Sequence, residues 1–88
     1  MGAAEPYALP VKRSVTIAGH ETSIALEPVF WKALEAAAAE RKLPLNALIA
    51  QIDASRLERS PPANLASAIR QWLLAKALLG RGANGRGE

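Results

Sequence analysis

"ETSIALEPVFWKALEAAAAE", Glu21 to Glu40, decides the fold. Its first six residues alternate, with Thr22, Ile24 and Leu26 on one side and Glu21, Ser23 and Ala25 on the other, which is the period of a half-buried strand. Glu27 and Pro28 then open a helix, because proline fits the first helical turn and a carboxylate suits the dipole-positive end. Phe30, Ala33, Leu34, Ala37 and Ala38 follow with the spacing of one buried face, so the helix is predicted over 28–41. A strand that runs straight into a helix needs a neighbour for its backbone N–H and C=O groups.

Upstream, "VKRSVTI" also alternates, with Val11, Arg13, Val15 and Ile17 on one face and Lys12, Ser14 and Thr16 on the other. The apolar positions are odd-numbered before "AGH" and even-numbered after it. The chain must therefore break, bulge or reverse near Gly19.

Downstream, Pro44 disfavours helix at Leu43 and opens a second helix to about Leu57, whose face is Leu45, Leu48, Ile49 and Ile52. "ERSPPAN" is a linker ending in an Asn able to cap. From Asn64, "NLASAIRQWLLAKALL" is a third amphipathic helix, 64–79, with Leu65, Ile69, Trp72 and Leu73 along one side and Gly80 as its terminator. This organisation gives a flexible N-terminus (1–10), one domain (11–79) and a flexible C-terminal tail (80–88).

Composition narrows the function classes. Among 88 residues there is one His and no Cys, so disulfides and thiolate metal sites are excluded. "HETSI" fails the HExxH zinc pattern because position 24 is Ile, and no nucleophile, base and orienter can be assembled. We expect no enzyme and no cofactor. No stretch reaches the ~20 apolar residues of a membrane span and no signal peptide is visible, so the expectation is a cytoplasmic protein without membrane contact. Eleven Lys and Arg against eight Asp and Glu, a net charge of +3, favour an anionic partner. Trp31 and Trp72 sit at helical spacing among apolar residues and read as packing rather than a base-stacking platform. A foldable part of this size buries only about 60% of its unfolded surface, so oligomerisation is the natural supplement to its core.

"SIALEPVFWKALEAAAAERKLPLNALIAQI" resembles the signature of the ribbon-helix-helix proteins, the Arc and methionine-repressor group. In particular, the lead-in "KRSVTIAGH" and the segment "NLASAIR" are similar to short bacterial ribbon-helix-helix proteins with a third helical segment. The resemblance implies a mostly α fold with a short β-ribbon: an intertwined homodimer with an N-terminal lead-in strand and an extra C-terminal helix. The strand would pair antiparallel with its copy in a second subunit. Ile24, Leu26, Phe30, Leu34, Leu48, Ile49 and Ile52 would form the dimer core.

It also implies a regulator of transcription that places the ribbon in the major groove of double-stranded DNA. Carried over, the base-facing strand residues are Glu21, Ser23 and Ala25, and the phosphate-contacting residues at the start of the second helix are Arg41, Lys42 and Asn46, to which Lys12 and Arg13 of the lead-in strand would add phosphate-directed charge along the ribbon edge. The alternative is a dimer of the same fold acting as a protein-interaction module, with Trp72, Leu73 and Leu74 of the third helix meeting the partner. The sequence leaves one register open, because "NLASAIRQWLL" also resembles the second helix of many such proteins. The short connection "RKLPLN" favours the helix over 45–57 in that role.

Overall fold

A computed structural model describes residues 7–86. Its elements are β1 (Val11–Ile17), β2 (His20–Leu26), α1 (Pro28–Glu40), α2 (Leu45–Leu57) and α3 (Leu65–Arg86). This is a two-stranded antiparallel ribbon followed by three helices. Of the two termini expected to be flexible, residues 1–6 and 87–88 lie outside the described part.

The change of apolar parity at Gly19 is a reversal. Ala18 and Gly19 form a two-residue loop with φ of 51° and 82°, the left-handed pair a tight hairpin turn requires. The register runs from Val11 opposite Leu26 to Ile17 opposite His20, so every pair joins an odd-numbered residue to an even-numbered one. Paired side chains share a face, which is why Val15 and Ile24 both turn inward although their parity differs. The neighbour that β2 needs is therefore supplied by β1 of the same chain, where the family resemblance had placed a second subunit's strand.

α1 differs from its sequence expectation by a rotation. Trp31, Leu34, Ala37 and Ala38 are buried, whereas Phe30 is half-buried and Ala33 exposed. The reason is long-range. The Trp31 indole Nε1 donates to the Val11 carbonyl at 2.8 Å, which ties α1 to the start of β1 and brings the larger ring inside. α1 ends in a Schellman motif: Leu43 N–H reaches Ala38 O at 2.9 Å and Lys42 N–H reaches Ala39 O at 3.1 Å, with Lys42 left-handed at φ 58°.

α3 is capped as its sequence suggests, with Asn64 Oδ1 accepting from Ser67 N–H at 2.8 Å. It does not stop at Gly80, however, and continues to Arg86. Glycine permits the left-handed turn of a helix end but does not impose it, and Gly80 keeps a negative φ.

The core joins all five elements: Val15, Ile24, Leu26, Trp31, Leu34, Leu48, Ile49, Ile52, Ile69 and Leu73 are all buried. Of the seven side chains assigned to a dimer core, Ile24, Leu26, Leu34, Leu48, Ile49 and Ile52 are buried within one chain, and Phe30 is half-buried against them. β1 contributes Val15 to this core, and α3 contributes Ile69 and Leu73. No helix among the described residues is long and apolar enough to cross a membrane.

Candidate nucleic-acid interface

One face of the hairpin packs on the helices, and the other is outward. Alternation places Lys12, Ser14 and Thr16 of β1 on the outward face, opposite Ala25, Ser23 and Glu21 of β2 in that order. All are exposed except Ala25, which is half-exposed. The expected base-facing residues, Glu21, Ser23 and Ala25, are thus brought together with three more on β1. Ser14 and Thr16 were missed as site residues, although their even-numbered positions were the signal that they share a face with Lys12.

This face is graded in charge. Lys12 stands at the open end, the hydroxyls of Ser14 and Ser23 face each other in the middle, and Glu21 lies beside the turn. Lys12 has no ion-pair partner among the described residues.

Arg13 is not brought to this site. It lies on the inner face opposite Ile24, where Nη1 meets Glu35 Oε2 at 3.0 Å and the guanidinium sits 4.4 Å from the centre of the Trp31 ring. The odd-numbered position it shares with Val15 and Ile17 was the sequence signal. Glu35 as its partner is a long-range contact that no local pattern encodes.

The second cluster forms where α1 hands over to α2. The Asn46 side-chain amide donates to the Thr16 carbonyl at 3.3 Å, so the N-terminus of α2 is pinned to the turn end of β1. That helix begins after Pro44 with no side-chain cap, leaving N–H groups at its dipole-positive end. Lys42 is exposed beside it. Arg41 is exposed as well, but its guanidinium lies 5.1 Å from the centre of the Trp72 ring, so it leans toward α3.

The residues proposed for a protein partner separate. Leu73 is buried in the core, Trp72 is half-buried and Leu74 is exposed. Among the described side chains, the large exposed apolar ones of α3 are Leu74 at 60%, Leu78 at 59% and Leu79 at 74%.

The architecture is thus a two-stranded antiparallel ribbon that turns Lys12, Ser14, Thr16, Glu21 and Ser23 outward and rests on helices. The family model described as "Ribbon-helix-helix domain" matches residues 10–77, which takes in both strands, α1, α2 and most of α3, and the chain belongs to that family. Ribbon-helix-helix domains are typically DNA-binding, non-enzymatic regulators of transcription. No curated protein and no solved structure matches the chain.

Proposed function

We propose that this protein is a homodimeric DNA-binding regulator of transcription that presents its ribbon to the major groove. In this reading Glu21, Ser23 and Ala25 face base edges. Lys12, Arg41, Lys42 and Asn46 are directed at phosphates, where the N-terminus of α2 adds its unbonded N–H groups. Arg13 is left out, because Glu35 and Trp31 already hold its guanidinium. The observation that carries the reading is the Asn46 to Thr16 bond, which holds the N-terminus of α2, with Lys42 exposed just before it in the chain, at the β1 edge of the ribbon.

Second copies are expected to add at the ribbon edge. A hairpin closed by a two-residue loop bonds its closing pair, so the N–H and C=O groups of alternate residues point away from the partner strand. On β2 those are Glu21, Ser23 and Ala25. Light scattering at micromolar concentration should report a dimer, and a folded monomer would refute that part of the proposal.

Binding to arbitrary duplex DNA should weaken steeply between about 50 and 200 mM salt. Arg41→Ala with Lys42→Ala should lower the salt slope by about 0.9 for each phosphate that is no longer neutralised. A dimeric sample that binds no DNA at the lower salt concentration overturns the proposal.

A protein-docking reading is supported by a different surface, the ridge of Leu74 and Leu78 one turn apart on α3. It expects a stoichiometric partner that Leu74→Ala releases. Recovery of self-dimer alone would count against it.

A further inference from the structure

We propose that β1 forms the phosphate-facing walls of the ribbon, with the Ser14 and Thr16 hydroxyls joining Lys12 on the DNA backbone, while base readout is confined to β2. This rests on the dimeric DNA-binding reading above.

The two edges of the hairpin are not equivalent. On β1 the outward-pointing carbonyl of Thr16 is already occupied by the Asn46 amide, so α2 closes that edge at its turn end. On β2 no hydrogen bond from outside the hairpin reaches Glu21, Ser23 or Ala25 among the described residues. A second copy therefore adds along β2, giving a four-stranded ribbon with β2 of each copy at the centre and β1 of each copy outside.

Width then assigns the roles. Strands lie about 4.8 Å apart, which puts the two central strands about 2.4 Å and the outer strands about 7 Å from the two-fold axis. The major groove is about 12 Å wide, so its walls stand about 6 Å from that axis. The central strands fit between the walls and the outer strands do not. β2 faces the floor of the groove, and the outward side chains of β1 meet phosphate oxygens. Lys12, Ser14 and Thr16 are all exposed donors on that face. Hydroxyl and ammonium donors to phosphate position a protein on DNA without reading sequence.

The test combines selection of bound duplexes from a random pool with salt titration, on the full chain and on Lys12→Ala, Ser14→Ala/Thr16→Ala and Ser23→Ala. These side chains are exposed, and thermal melts check that each variant folds. The Ser14/Thr16 double variant should weaken every duplex by roughly tenfold with base preferences unchanged. Lys12→Ala should lower the salt slope by about 1.8 for a dimer. Ser23→Ala should change the preferred bases. β1 variants that shift base preference overturn the inference and indicate pairing through the other edge. β1 variants that leave affinity and slope unmoved, while the wild type binds, also overturn it. Failure of the wild-type dimer to bind DNA overturns the functional reading itself.

Discussion

Arg70 grips Glu27 from α3, with Nε donating to Oε1 at 3.0 Å and Nη2 to Oε2 at 3.3 Å, at the residue where the ribbon becomes a helix. The Glu27 carboxyl is held below its ordinary value, first by a backbone N–H bond at Glu27 and then by the Arg70 guanidinium, against the opposing effect of burial. A lowered folded-state value means the stabilisation is present above the unfolded value of 4.5 and is lost as pH falls through the lower folded one. Thermal melts across acid and neutral pH should show wild type more stable than Glu27→Gln near neutrality. The gap should close as pH falls through the lowered folded-state value of Glu27, and a gap that stayed constant would show that the carboxylate is not responsible.

The hairpin turn should respond in opposite directions at its two residues. Ala18 holds a left-handed φ that a side chain disfavours, so Ala18→Asn or Ala18→Gly should stabilise by about 0.5–1 kcal/mol. Gly19→Ala should destabilise by a similar amount through backbone strain alone, since an added Cβ meets no heavy atom within 4 Å. Urea denaturation measures both.

Lys42 couples stability and binding with opposite signs. It occupies the left-handed position after α1 that glycine suits best, so Lys42→Gly should raise stability by about 0.5–1 kcal/mol. The same change removes a cation from the proposed phosphate contacts and should weaken DNA binding. A variant that is more stable and binds less tightly separates the two roles in one pair of measurements.

α3 should behave as part of the fold rather than as an appendage. Ile69 is fully buried in the core shared by the strands and helices, so Ile69→Ala should cost about 2–5 kcal/mol. Removing the cap in Asn64→Ala should cost about 1 kcal/mol and raise hydrogen exchange at the Ser67 amide. If Ile69→Ala changed stability by less than about 0.5 kcal/mol, the helix would be dispensable.

Local signals in the chain suffice for the strands, the helix starts and the outward row of Glu21, Ser23 and Ala25. Alternation, proline at a first turn and an Asn cap are all readable within a few residues. They also require a break in the pattern at Gly19, because the apolar parity changes there. Only the folded chain shows that β2 pairs with β1, that Trp31 replaces Phe30 inside, that Arg13 is held by Glu35 and Trp31, and that Asn46 meets Thr16. The side-chain contacts among these join residues about 20 to 30 positions apart, such as Trp31 with Val11 and Asn46 with Thr16. A helix period defines a stripe but not which of two adjacent side chains is turned deepest, and a strand's alternation defines two faces but not the strand beside it. Packing between distant segments settles both, because burial and hydrogen-bond pairing are properties of the neighbours as much as of the residue.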